Sequence, residues 1–452
     1  MSVAIESRAR LDLPRVLGFW DVVGILVGTV IGSGIFIVPA TIAAEVKSPV
    51  LILAVWVVGG LLSFFGALSF SELGAAYPQA GGMYVYLREG YGRLIAFLFG
   101  WTLFLVIDCG SIAALSVAFS SKYLPYLVPL SPLAAQLVSL ALIVVLTTVN
   151  YLGVKRGAIL QNVLTVIKVG AIVAVSGAVF LFGRGDSSHF VSPPPGELSP
   201  ALVGAFGVAL VASLWAYKGW EAATFSSGEI RNPERNLPLG LFVGTLLAIG
   251  LYLVTNLAYL YVLPAEAIAK SQRVASDAMN AVVGPVGASL IAFVILFSIS
   301  GAANGNFITS PRVYYAMARD GIFFKSFSSV HPRFLTPWVS LIATGVWSAI
   351  LCVSGTFEQL LAYVIFGQWI FFGLTVAAVM VLRRTRPDLA RPYRTWGYPA
   401  TPVLFVLAAL FIVVNAIVTG PKNSLIGLGI ILLGVPAYLY WTSRTRSRPA
   451  EV

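Results

Sequence analysis

Val27-Gly28-Thr29-Val30-Ile31-Gly32-Ser33-Gly34-Ile35-Phe36 lies in the middle of the first long apolar segment of the chain. Glycine costs about 1 kcal/mol in a helix relative to alanine, so Gly-Ser-Gly at this depth invites the helix to unwind. Gly28 and Gly32 equally suit a small-residue packing face against a neighbouring helix. A second interruption separates the two. Ser213-Leu214-Trp215-Ala216-Tyr217-Lys218-Gly219-Trp220-Glu221 places a lysine, a glycine and a glutamate inside another apolar segment. Unwound backbone in a bilayer is tolerated only where protein or a watery cavity covers it. Interrupted helices at matching places in two halves point to a transporter site.

Composition sets the surroundings of these segments. Of 452 residues, 58% are hydrophobic and 10% charged, with mean hydropathy +0.90. Soluble domains carry about 25% charged residues, so 29 basic and 18 acidic side chains cannot coat a soluble chain of this length. Soluble enzymes and nucleic-acid readers are excluded, and the lipid bilayer is the expected solvent. The two cysteines, Cys109 and Cys352, sit in apolar runs as small hydrophobes and form no disulfide framework. No cleavable signal precedes the first apolar segment.

A bilayer core needs roughly 20 helical residues per crossing. Twelve such segments are expected, at 18–41, 50–76, 93–120, 132–152, 158–183, 201–226, 237–262, 282–310, 338–354, 359–382, 401–419 and 424–442. With the N-terminus inside, 21 Lys and Arg fall on inner segments and six on outer loops, leaving Lys168 and Lys218 within spans. Both termini are therefore expected in the cytoplasm of a multi-pass plasma-membrane protein. The +11 formal charge is a topology signal, not a nucleic-acid surface. The segments group as a tail (1–17), a five-helix half (18–183), a second half inserted upside down (201–382), two peripheral helices (401–442) and a second tail (443–452).

The chain resembles the amino acid–polyamine–organocation transporters, and within them the L-type amino acid transporter branch. The resemblance rests on Ile31-Gly32-Ser33-Gly34-Ile35-Phe36; on Ser71-Glu72-Leu73, Tyr77-Pro78 and Gly81-Gly82-Met83-Tyr84-Val85-Tyr86; on Trp215 to Glu221 continuing into Gly228-Glu229-Ile230-Arg231-Asn232-Pro233-Glu234-Arg235-Asn236-Leu237-Pro238; and on Gly301-Ala302-Ala303-Asn304-Gly305. It implies an all-α fold with a five-plus-five inverted-repeat core, discontinuous helices one and six, and an amino acid as substrate.

It also implies a site. The substrate carboxylate would meet main-chain N–H groups near Ser33 and Gly34, at the start of a half-helix. Its ammonium would meet carbonyls freed near Val30, Ile31 and Gly32, joined by those of the Trp215, Ala216, Tyr217, Lys218 and Gly219 break. In the related arginine/agmatine exchanger the position matching Trp215 closes over the substrate. Relatives carry a lysine where Lys168 stands, its ammonium replacing a bound sodium ion. It would bridge the first span at the Gly24 carbonyl to the eighth at Ser298, which implies sodium independence.

Charged residues within a bilayer are functional by default. Lys218 either faces the substrate, disfavouring cationic side chains, or is neutralised by Asp108 or Glu221. Glu221 matches an acidic position tied to proton sensing in some exchangers, or else bonds to span one. Asn304 suits the support of broken helices. Glu229, Arg231 and Arg235 could form an inner gate with Asp21 or the Glu72 region. The outer loop Ser121 to Ser131 lacks the cysteine by which animal L-type carriers bond a single-span partner, so no such partner, and a bacterial source, are expected. No P-loop, metal cluster or histidine relay is visible, and no cofactor is implied. The expected function is sodium-independent secondary transport of amino acids, neutral ones favoured, by exchange or with a proton. Carriage of acidic amino acids or polyamines is the alternative; an ion channel, which would want a ring of like charges, is the rival from another class.

Overall fold

Proline marks where most of the long helices begin. In the computed structural model, which describes residues 13–446 apart from 184, 192, 195–196, 198 and 355–356, Pro49, Pro132, Pro200, Pro233 and Pro285 each occupy the first turn of a helix. A proline there sacrifices no hydrogen bond, because the first N–H groups have no intrahelical acceptor. Ser131 and Ser199 cap two of these helices through their hydroxyls. Arg8 and Arg10 of the first tail, Arg184 and most of the 443–452 tail lie outside the described residues.

The first segment is broken. Helix α1 (Phe19–Val30) ends at Ile31, and α2 (Gly34–Val46) resumes with a 44° change of direction. There follow α3 (Pro49–Ala76), a short α4 (Met83–Tyr91), α5 (Arg93–Tyr126), α6 (Pro132–Tyr151) and α7 (Val154–Phe182). Next come α8 (Pro200–Ala216), a 3₁₀ stretch (Ala222–Glu229) and α9 (Pro233–Val262). Two short helices, α10 (Ala265–Lys270) and α11 (Val274–Val283), precede α12 (Pro285–Arg319). The chain closes with α13 (Trp338–Ser354), α14 (Phe357–Thr385), α15 (Ala400–Thr419) and α16 (Pro421–Arg446). Among the described residues eight helices are long and apolar enough to cross a membrane, nine if α1 and α2 count as one bent crossing. Helices α8, α11 and α13 are apolar but shorter.

Two expectations change. The segment 201–226 is helical only to Ala216; Tyr217 to Glu221 form a turn in which Gly219 takes φ +119°. The segment 282–310 opens instead at the end of α11, breaks at Gly284 (φ +77°), and runs on to Arg319. Helices α4, α10 and α11 have 9, 6 and 10 residues, too few to register as crossings.

Helix α1 packs among α7, α9 and α12, while α2 lies against α8 and α10. Helices α5 and α12 bury 61% and 59% of their most apolar windows, α15 and α16 only 22% and 17%. The first pair is interior and the second faces outward, where apolar side chains suit a bilayer.

Candidate functional site

The two breaks meet at the centre. A side-chain carbon at Gly34 would sit 2.9–3.0 Å from Cβ and Cα of Ala216, and one at Gly219 about as close to Thr29 and the Val30 nitrogen. Only glycine lets the broken strands of backbone approach this far. Gly28 serves as a packing glycine as well, since a Cβ there would collide with Gln161 and Thr165 of α7.

Unwinding frees backbone groups, and each has a distinct fate. The N–H groups of Ser33, Gly34 and Ile35 find no acceptor among the described residues. They form the positive end of α2 and suit a carboxylate. The carbonyls are largely taken. That of Val30 accepts from the Tyr252 hydroxyl (2.9 Å) and the Gly32 N–H (2.8 Å). Both lone pairs are thereby used, so Val30 is not the free ammonium acceptor expected of it. Ser298 Oγ lies 2.9 Å from the Ile31 carbonyl and 3.0 Å from that of Gly32. Across the gap the Trp215 carbonyl takes the Lys218 N–H at 3.1 Å and shares the Tyr217 N–H with the Ser213 carbonyl. The Ala216 carbonyl faces the Tyr252 hydroxyl at 3.0 Å.

Lys168 is fully buried, and its three ammonium hydrogens have three acceptors: the carbonyls of Gly28 (2.8 Å), Ile31 (2.6 Å) and Ser298 (2.9 Å). The Ser298 contact joins α7 to α12. The expected Gly24 contact is absent, because the Gly24 carbonyl accepts from Thr165 Oγ1 (3.1 Å). Gly24 still lies in continuous helix, whereas Gly28 and Ile31 have lost their usual donors. The Gly32 N–H turns to Val30, and the Ile35 N–H is unpaired. A fixed cation thus sits where the break exposes negative dipole ends.

The breaks line a cavity of about 80 Å³ bounded by Val30, Gly32, Ser33, Gly34, Trp215, Ala216, Lys218 and Gly219, together with Thr29, Ser111, Ala114, Leu115, Ala302 and Asn306. Lys218 donates to Ser111 Oγ (3.0 Å), which in turn donates to the Ile107 carbonyl (2.6 Å). Among the described residues neither Asp108 nor Glu221 forms an ion pair with Lys218 within 4.0 Å. Two ammonium hydrogens therefore remain for the cavity.

Glu221 bonds within its own break and to α14: its carboxylate accepts from the Gly219 N–H (3.1 Å) and from Gln368 Nε2 (2.9 Å). Among the described residues it forms no hydrogen bond to span one. Asp108 is buried between two π turns of α5, Leu103–Ile107 and Ala118–Tyr123, three residues before Ser111. Asn304 donates to Gln161 Oε1 (2.8 Å) and the Gly157 carbonyl (3.2 Å) and accepts from Asn150 Nδ2 (2.8 Å). It ties α6, α7 and α12 together outside the cavity. Tyr217 is buried and turned to the Trp56 carbonyl at 3.1 Å.

The expected charge cluster beyond the second break is rearranged. Asp21 pairs with Lys155 (2.8 Å), Glu72 with Arg383 (2.6 Å), and Glu229 with Arg312 (2.6 Å) in a fully buried, two-pronged contact. Arg231 and Arg235 are exposed.

Residues 17–437 match the family described as Amino acid permease. The chain belongs to this amino acid permease family, within the amino acid–polyamine–organocation superfamily. It is similar to the b(0,+)-type amino acid transporter 1 of Homo sapiens, 35% identical over 427 residues, covering 93% of this chain and 86% of that one. The serine/threonine exchanger SteT of Bacillus subtilis is 30% identical over 440 residues (96% and 98% covered). The cystine/glutamate transporter of Homo sapiens is 32% identical over 448 (97% and 88%). The permease is a multi-pass membrane protein of the amino acid transport class, not an enzyme.

Several groups that shape the permease's cavity carry no mark in its sequence. Tyr252 is one tyrosine among 18; the only hint is that a buried phenol in a membrane seeks a partner. Ser111, Thr29 and Asn306 sit in apolar helices whose rotation the sequence does not reveal.

Proposed function

We propose that the permease is a sodium-independent secondary carrier working by alternating access, which takes neutral L-amino acids by exchange or together with a proton. The observation that carries this reading is the cavity at the two breaks, with unpaired N–H groups at Ser33, Gly34 and Ile35 beside it. Those groups suit a carboxylate, carbonyls of the second break an ammonium, and Trp215 itself stands in the wall. Contacts to main chain read what every amino acid shares. Lys168, satisfied by three carbonyls, supplies the charge that a sodium ion would otherwise bring.

The architecture proposed with it has twelve crossings: two inverted halves, 18–183 and 201–382, two peripheral helices in 401–442, and tails 1–17 and 443–452 on the cytoplasmic side of the plasma membrane. One break near the start of each half supports that symmetry. The absence of a cysteine from 121–131 supports a carrier without a disulfide-bonded partner.

Lys218 selects within the class. Its ammonium, in the cavity wall and without an ion-pair partner among the described residues, repels arginine and polyamines. The same charge favours a second reading, acidic substrates, and the similarity to a cystine/glutamate transporter points the same way.

The test is uptake into proteoliposomes with a panel of neutral, acidic and basic amino acids, with and without internal amino acid, a pH gradient and sodium. Saturable flux stimulated by internal neutral amino acid and indifferent to sodium is expected. Sodium-driven uptake, or conductance that does not saturate, would overturn the proposal.

A further inference from the structure

Two asparagines of α12 put their amides to different uses. Asn304 spends its amide on three partners in α6 and α7. Asn306 is only 6% exposed and lines the central cavity, yet its side chain forms no hydrogen bond among the described residues. The Ser310 hydroxyl one turn on goes to the main-chain carbonyl of Asn306 (2.9 Å), not to its amide. A buried amide without a partner is costly, and an apolar side chain would fill the same space without that cost. The open amide therefore fits a partner that comes and goes through the cavity.

Close contacts fix where Asn306 stands. A side-chain carbon at Gly32 would lie 3.5 Å from Cβ of Ala302, and one at Gly305 only 2.1 Å from Thr29 Oγ1. Helix α12 thus runs along the first break, with Ala302 beside the N–H groups that suit a carboxylate. Asn306 follows four residues later, about 6 Å along the axis. A side chain of one or two carbons, with a hydrogen bond beyond it, covers such a distance. From α5, Ile112 shares one packed cluster with Phe307, which brings the preceding residues, Ser111 and Asn306, to one level of the cavity wall. Lys218 joins them through its 3.0 Å bond to Ser111 Oγ.

The groups at that level include both donors and acceptors. Lys218 keeps two ammonium hydrogens, and the Asn306 amide offers two N–H and a carbonyl whichever way it is turned. Ser111 and Thr29 have given their protons to the Ile107 and Ile25 carbonyls (both 2.6 Å), so each presents lone pairs only. A cationic side chain would meet the ammonium, an alkyl one would leave every group unpaired, and a carboxylate could serve the donors alone. A hydroxyl or a primary amide serves both kinds. We infer that Asn306, with Ser111 and Lys218, forms the side-chain subsite of the permease and selects neutral amino acids with a short hydroxyl or amide side chain over apolar ones of equal size. This rests on the amino acid carrier proposed above. The space, about 80 Å³, holds several groups the size of a water, which suits a short side chain.

The experiment measures Vmax/KM for L-threonine and L-valine, with competition by L-aspartate, in proteoliposomes. The proteins compared are wild type, Asn306→Leu and Asn306→Ser, each with its melting temperature in detergent as the check on folding. Threonine and valine differ by a hydroxyl in place of a methyl, so their ratio reads the hydrogen bonds of the subsite. In the wild type threonine should lead by at least about tenfold. Asn306→Leu should reduce that lead to about threefold or less, raising KM for threonine and lowering it for valine. Asn306→Ser, which keeps a hydroxyl, should fall between, and it carries the comparison if Asn306→Leu does not fold. A wild type that takes valine as well as threonine overturns the subsite while leaving the carrier intact, and so does a ratio that persists in both variants. An equal fall for both amino acids overturns it too, by assigning Asn306 a structural role. Aspartate taken in preference to threonine gives the cavity to a carboxylate side chain and overturns it as well. Absence of saturable flux for any amino acid in wild type removes the carrier and the subsite together.

Discussion

The phenol oxygen of Tyr252 stands 2.9 Å from the main-chain carbonyl of Val30, 222 residues away, and 3.0 Å from that of Ala216. One hydroxyl on α9 therefore spans both broken helices. It has a single proton for two acceptors, so it can favour either half as the halves move. Tyr252→Phe should leave a folded protein, costing about 1 kcal/mol for the lost bond, yet lower exchange at least severalfold. The comparison is thermal stability in detergent against initial exchange rate. Full activity in a stable variant would show that the bridge is passive.

The glycines of the two breaks should separate by their surroundings. Gly34→Ala brings Cβ to 3.0 Å from the Ala216 backbone, and Gly219→Ala combines a similar clash with φ +119°. Both should reduce uptake to roughly a tenth or less, since backbone at close contact cannot give way and left-handed φ strains alanine. Gly32→Ala meets only the Ala302 methyl at 3.5 Å, an ordinary contact, and should retain most transport. Equal losses at all three positions would refute the close-approach account.

Lys168→Met should remove transport, by about 10- to 100-fold for the loss of charge-assisted bonds. Three buried carbonyls then lack their donor. Wild-type uptake should be the same in sodium and choline media. Sodium stimulation of the wild type would show that the ammonium does not stand in for the ion.

Selectivity should follow the charge at Lys218. Lys218→Asp should let arginine compete at least about tenfold better, because repulsion at an effective dielectric near 20 becomes attraction. Lys218→Gly should fall between. Competition curves for arginine, glutamate and serine against one labelled substrate read this directly, and an unaltered order of preference would remove the lysine from the selective role.

The Arg312–Glu229 pair is fully buried and bidentate. Breaking it by Arg312→Gln strands a charge and should cost roughly 3–5 kcal/mol. Arg312→Met with Glu229→Leu should regain much of that stability, since an apolar pair leaves no buried charge. The melting temperatures of the wild type, the single and the double variant decide the matter. A double variant as unstable as the single would point to a different origin.

Much of the helix order was legible because local chemistry writes it. Proline at the start of α3, α6, α8, α9 and α12, and hydropathy between, place those ends within a few residues. Gly32-Ser33-Gly34 announces the first break, and Gly219 the second. What failed was pairing. Asp21, Glu72 and Glu229 were legible as charges but not as partners of Lys155, Arg383 and Arg312. Short α4, α10 and α11 escaped because 9, 6 and 10 residues are too few to register as crossings.

Lys168 shows where the division falls. Its presence within a span marks it from sequence as a charge that must be satisfied, and the break in α1 supplies carbonyls to do it. Membrane residence, the prolines that open helices and the sites of unwinding all depend on neighbours a few residues apart, so the chain alone determined them. Which carbonyls the ammonium takes, Gly28 and Ile31 rather than Gly24, depends on how α7 and α12 are rotated against α1. The same holds for the Tyr252 bridge and for the choice of Ser111 over a carboxylate at Lys218. Except for Tyr252 and Ala216, those partners lie more than 100 residues apart. A hydrogen bond tolerates only a few tenths of an ångström, so only tertiary packing could decide them.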